Sequence, residues 1–224
     1  MTALIQQIAK SSQQVFGKQC SEESLAALRC LCGKLKASDV GFNYDTIANR
    51  RFRAPSLHVS ITSNEKYSIG IFVLMNGGVI PLHDHPDMFG IVKVIHGKIR
   101  VSSYSLLQDD SIAVPNKLLS RVKQWQRLIP SRSCAVSEVS CDEDATCLLT
   151  PDKANLHEIE AVGGVAAFVD VLAPPYEEGE RECSYYEVMD KIYDEQLKED
   201  ITWLATSDPP PYFWCESLPY SGPK

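Results

Sequence analysis

Apolar residues near the start of the chain recur at helical spacing. Between Thr2 and Phe16, Leu4, Ile5, Ile8, Val15 and Phe16 fall roughly on one face. Between Ser21 and Lys36, Leu25, Leu28, Cys32 and Leu35 repeat the pattern. Ser21 followed by Glu22 and Glu23 suits a helix N-terminus. The hydroxyl can accept from a free backbone N–H, and acids in the first turn oppose the helix dipole. Gly33 weakens the end of that helix. Residues 1–40 are therefore expected to form a helical segment. Its apolar stripes should pack on the body that follows rather than bind a partner.

From Leu57 the period changes. Leu57–Thr62, Tyr67–Met75, Val79–His85, Gly90–Ile95 and Lys98–Leu106 read as short strands separated by Gly, Asn and Asp turns. Residues 107–133 read as a long connection holding one short strand. Ala135–Val139, Thr146–Leu149, Leu156–Ala161 and Ala166–Leu172 read as later strands. No helical period intervenes, so residues 41–224 are expected to form one mainly β domain, an antiparallel sandwich or barrel. The Pro-rich tail from Pro209 to Lys224 cannot be helical. It should lie extended on the barrel, anchored by Phe213 and Trp214.

Composition narrows the function. Acidic residues number 29 against 22 basic ones, for a net charge of −7. Phosphate neutralisation needs clustered Lys and Arg, so nucleic acid is not an expected partner. No apolar run approaches the length of a membrane span. Eight cysteines without a CxxC pair, and no secretory signal near Met1, suit a reducing cytoplasmic setting. The first 21 residues lack acids, as transit peptides do, but they also lack arginine. An ordinary helix is the simpler reading there.

His83-Asp84-His85 is the most informative triplet. Residues two apart on a strand point to the same face, so both imidazoles can reach one metal inside a small barrel. An isolated HxH pair is weak evidence. Here Gly77 lies six residues before His83 and Gly97 twelve after His85. This spacing resembles the first motif of the cupin superfamily, G-x5-H-x-H-x3-E-x6-G. Phe89 stands where that motif has glutamate. The third ligand must then come from His58, His96 or His157. His96 precedes Gly97 in an expected hairpin and should face solvent. His58 could point inward or be a hydrogen-bonded core histidine. His157 follows the Thr150-Pro151-Asp152 turn on a strand, where cupins place their second-motif ligand, and is the preferred candidate. Imidazole suits Fe, Zn, Cu and Ni, so ligand type alone does not choose the metal.

The stretch Pro81-Leu82-His83-Asp84-His85-Pro86, continuing to Val92-Lys93-Val94, resembles the metal motif of the cysteamine dioxygenase family. These are thiol dioxygenases, with the plant cysteine oxidases as relatives. Asn155-Leu156-His157 resembles the family's third-ligand segment. Asp170-Val171-Leu172-Ala173-Pro174-Pro175-Tyr176 resembles its D-[IV]-L-A-P-P-Y stretch. Cys183-Ser184-Tyr185-Tyr186 and Phe213-Trp214-Cys215-Glu216 also match. The resemblance covers most of the chain and is weakest over residues 107–133.

The resemblance implies a double-stranded β-helix of the cupin type, holding Fe(II) on His83, His85 and His157. It implies oxidation of a thiol to a sulfinic acid, with both atoms of O2 entering the product. The implied substrates are cysteamine, giving hypotaurine, and proteins with an N-terminal Cys, whose oxidation feeds the N-degron route in a hypoxia response. A monomer in the cytoplasm, or also the nucleus, is expected.

Other residues take expected roles. Asp170 would accept from the substrate amine or a metal-bound species. Tyr176, after a rigid Pro-Pro pair, could hydrogen-bond oxygen species or be a rim aromatic with a wet tip. Cys183 and Tyr185 are a candidate pair for a thioether, though such pairs more often only pack. Asp84 should point away from the ligands and be structural, and Lys93 and Arg100 should be solvated. Two other readings compete: a metal-dependent cupin of different chemistry, and a non-catalytic cupin binding protein.

Overall fold

The computed structural model describes residues 3–18, 20–109 and 111–223. Helices α1 (Leu4–Phe16) and α2 (Glu22–Gly33) form the expected pair. Thr2, where the first helix was expected to begin, lies outside the described residues. Ser21 caps α2, its hydroxyl accepting from the Ser24 N–H at 3.2 Å. Short helices α3 (Tyr44–Ala48) and α4 (Asn116–Leu119) were not apparent in the sequence pattern.

The strands are β1 (Ser56–Ser63), β2 (Ser68–Leu74), β3 (Val79–Asp84), β4 (Phe89–His96), β5 (Lys98–Leu106), β6 (Leu128–Ser133) and β7 (Ser137–Ser140). They continue as β8 (Cys147–Leu149), β9 (Leu156–Ala161), β10 (Ala166–Ala173), β11 (Tyr185–Asp194), β12 (Glu199–Ser207) and β13 (Cys215–Ser217). One sheet runs β13-β1-β2-β10-β4-β8 and the other β6-β12-β11-β3-β9-β5-β7. In the second sheet β6 pairs with both β12 and β5, so the sheet curls back on itself. The two sheets make a cupin-type double-stranded β-helix with helices at its N-terminal end.

Sequence reasoning did not find β11 and β12. The reason is local. Val188 and Tyr193 stand exposed, and a bulge between Val188 and Asp190 breaks the alternation that marks a half-buried strand.

The middle of the first sheet, β2 and β10, is buried on both faces. Ala167, Val169 and Val171 of β10 and Ile69, Ile71 and Val73 of β2 pack under Ile5, Ile8, Leu25 and Leu28 of the helices. The alternate residues, Ala166 and Phe168 of β10 and Leu74 of β2, join Ile80, Val92, Val94 and Ile159 inside the barrel. Every residue of β10 is buried, so its sequence reads as a continuous apolar run broken by Asp170.

Among the surface expectations, those for Lys93 and Trp214 meet a different outcome. Lys93 is only 2% exposed, because it sits on the helix-facing side of β4, between β10 and β8. Its ammonium donates to the Glu143 carbonyl, which offsets the loss of water. Arg100 behaves as expected, bridging Glu138 at 2.8 Å and Glu160 at 2.9 Å on the sheet surface. The tail is held through β13, which pairs in parallel with β1, and through Phe213, Leu218 and Tyr220. Trp214 is not an anchor: half of it remains exposed, because it leads into β13, an edge strand whose residues are all exposed.

Among the described residues no helix is long and apolar enough to cross a membrane.

Candidate metal centre

A bulge builds the centre. In the β3–β9 ladder Ile80 pairs with Ile159, and the next pair is His83 with His157. The extra residue falls at Pro81-Leu82, where proline has no N–H to give the ladder. It switches the parity of β3, so that His83 faces the same side as Ile80. His85, two residues on, stays beside His83. His83, His85 and His157 are all buried, and their ligand nitrogens lie within 4.8 Å of one another. The ring centroids are 4.7–4.8 Å apart.

The surroundings set the tautomers. His83 Nδ1 lies 2.8 Å from the Pro81 carbonyl, which can only accept, so Nδ1 carries the proton and Nε2 is bare. The Tyr176 hydroxyl donates to the Asp84 carbonyl at 2.6 Å. It therefore accepts from His85 Nδ1–H at 2.9 Å, leaving His85 Nε2 bare as well. That nitrogen faces His157 Nε2 at 3.0 Å, a spacing stabilised by a shared proton or a shared cation. Burial pushes His83 down to about 4. Burial and the neighbouring imidazoles hold His85 and His157 well below the ordinary range. Three neutral imidazoles with converging ring nitrogens are the donor set a divalent cation takes.

Asp84 points away from the imidazoles, as expected. Its carboxylate accepts from the Ser184 N–H at 2.8 Å and the Tyr186 hydroxyl at 2.7 Å, tying the ligand strand to β11. Ser184 and Tyr186 were seen in the sequence only as parts of a motif, with no role assigned. Phe89, standing at the cupin glutamate position, turns toward the helices and packs on Phe16 at 6.0 Å. Among the described residues, no carboxylate joins the triad in place of the missing ligand.

Of the other histidines, His96 stacks on Tyr44 with centroids 4.4 Å apart and is half-buried rather than fully solvated. His58 lies against Phe72 at 4.8 Å, apart from the triad. It lines a cavity of about 450 Å³ that also reaches Asp170, Tyr176 and Cys215. Asp170 stands opposite Gly70 on the barrel face of β10. Its Oδ1 is buried with no hydrogen-bond partner, and burial raises its pKa to about 7. Cys183 precedes β11 instead of lying on it, yet its thiol meets both the Tyr176 and Tyr185 hydroxyls. Burial pushes that thiol up to about 11.

Comparison with known proteins agrees with this geometry. The PCO_ADO family model matches residues 31–224. The chain belongs to the PCO_ADO family. It is 33% identical to the mouse protein named 2-aminoethanethiol dioxygenase, over 100% of this chain and 97% of that one. It is 34% identical to the human protein of the same name, over 90% and 81%. It is 29% identical to plant cysteine oxidase 2 of Arabidopsis thaliana, over 98% and 82%. The chain is thus a member of a thiol dioxygenase family and carries a buried three-histidine centre.

Proposed function

We propose that this chain is an Fe(II)-dependent dioxygenase that converts a thiol carrying a neighbouring amine to its sulfinic acid. Cysteamine and the N-terminal Cys of proteins are the substrate class. The reaction balances as one thiol plus one O2 giving one sulfinic acid. The observation that carries this reading is the convergence of three buried histidine ring nitrogens beside a cavity that holds an unpartnered buried carboxyl oxygen.

His83, His85 and His157 would hold the iron. Bound there, Fe(II) supplies the one-electron chemistry that lets ground-state O2 react with a thiolate. The protein's own groups do the rest. The Pro81 carbonyl and the Tyr176 hydroxyl hold two imidazoles with Nε2 directed inward. The Tyr176 hydroxyl is occupied by Asp84 and His85, so Tyr176 acts as a positioning residue. Asp170 accepts from the substrate ammonium. A cation placed there returns the carboxyl to its charged form, because it supplies the partner that burial removed. Apolar Phe72 and Leu172 line the same cavity and limit water around the reacting thiol. A thioether between Cys183 and Tyr185, formed with loss of two hydrogens to O2, is the modification this reading would allow there. Peptide mapping would register it as two missing hydrogen masses.

The test is mass spectrometry of a Cys-initiated peptide and of cysteamine after reaction with the iron-loaded chain under 18O2. Two heavy oxygens in the sulfinate are expected. Iron bound with neither substrate oxidised would move the protein to another cupin chemistry.

A further inference from the structure

The cavity beside the metal centre is larger than a free aminothiol needs. Its volume is about 450 Å³. An aminothiol of four heavy atoms fills roughly a quarter of that at ordinary packing density. Asp170 is the one formally charged residue among those lining it; the remainder include His58 and the hydroxyls of Ser60, Ser63, Ser68 and Ser217. These neutral polar groups, set among apolar Phe72 and Leu172, suit amide groups better than a second charge.

His58 has an unusual position in that wall. It sits on the barrel face of β1 and leans across β2 toward β10. Gly70 lies between: Ser60 pairs with Gly70 on one side, and Asp170 pairs with Gly70 on the other. A Cβ on residue 70 would stand 2.6 Å from His58 Nε2, so the imidazole occupies the space that glycine leaves empty. Phe72 holds the ring from below, with centroids 4.8 Å apart. No described side chain or backbone group hydrogen-bonds either ring nitrogen. Burial keeps the ring neutral by lowering its pKa. A neutral imidazole offers one N–H donor and one acceptor, the complement of a peptide unit's carbonyl and N–H.

We propose that His58 is a specificity-determining residue, hydrogen-bonding the first peptide unit of a Cys-initiated chain while Asp170 takes its ammonium. This rests on the thiol dioxygenase reading above and refines it. The arrangement distinguishes a peptide from cysteamine, because cysteamine has no amide to meet the imidazole. Loss of one neutral hydrogen bond to a ligand corresponds to about threefold to tenfold in affinity.

The test uses the full iron-loaded chain, a Cys-initiated tetrapeptide amide and cysteamine. Dissociation constants are measured anaerobically by equilibrium dialysis, and kcat/KM in air. His58→Phe keeps the ring packing and removes both nitrogens. It should raise the peptide Kd about threefold to tenfold. The ratio of kcat/KM for peptide to that for cysteamine should fall by the same factor. His58→Gln, which retains a donor and an acceptor, should recover much of the loss. Gly70→Ala should displace the ring and reproduce the His58→Phe effect, and the double variant should be no worse than either single one. An unchanged peptide Kd, or equal losses on both substrates, would overturn the proposal. Wild-type chain that binds the peptide but oxidises neither substrate would instead defeat the dioxygenase reading, leaving His58 to be judged by the Kd values alone.

Discussion

His83 and His157 face one another directly across the β3–β9 ladder, although two residues lie between Ile80 and His83 and only one between His157 and Ile159. That single added residue turns a strand of ordinary alternation into a ligand strand. Each histidine enters the barrel with its backbone already paired, so little conformational freedom is left to lose when a cation binds.

His157→Ala should reduce bound iron to a small fraction of the wild-type stoichiometry. The other two imidazoles cannot close a three-coordinate site. Metal analysis of purified protein decides this, and unchanged iron would remove His157 from the centre.

Tyr176→Phe should weaken iron binding by about tenfold or more without unfolding the chain. The hydroxyl fixes the His85 tautomer through Nδ1 and anchors the Asp84 carbonyl. A competition titration against a chelator reads the affinity. If affinity is unchanged while turnover falls, the phenol works on substrate and not on His85.

Asp170 should make stability depend on pH in a direction opposite to that of an ordinary surface acid. Burial holds its folded value near 7, against 3.8 for the free group. The native chain therefore holds this proton more tightly than the unfolded chain. Its contribution to stability falls as pH rises between those two values, then levels off. One pKa unit corresponds to about 1.4 kcal/mol, so the total is on the order of a few kcal/mol. With chelator present, Asp170→Asn should melt above wild type near neutrality and above, and the gap should close toward about pH 4. A gap independent of pH would show that the carboxyl is not buried in its neutral form.

Leu28→Ala should destabilise the whole chain by about 2–5 kcal/mol in urea unfolding. Leu28 is fully buried between α2 and the outer face of the first sheet. A single cooperative transition moving with the variant would show that helices and barrel fold together. Early loss of helix with the barrel transition unmoved would show that they do not.

Much of the barrel was legible along the chain. Strands β1 to β5 and β7 to β10 fall where alternating or continuous apolar runs predict them, because a residue's face in a strand is a local property of backbone geometry. The Ser21 cap, the His83/His85 pair and the choice of His157 were readable for the same reason. Other features depend on distant partners. Lys93 looked like a solvated strand residue until the segment after α2 and the Glu143 carbonyl closed around it. The bulge in β11 hid two strands from any periodic reading. Asp84 and Asp170 are both single acids in apolar strands, yet one has two donors in Ser184 and Tyr186 while the other has none. Sequence thus determined which residues could become ligands and which way most strands face. The tertiary structure decided which acids are paired, which imidazole nitrogens are bare, and that His58 overhangs Gly70 beside Asp170. Those outcomes depend on contacts between segments far apart in the chain, which local pattern does not encode.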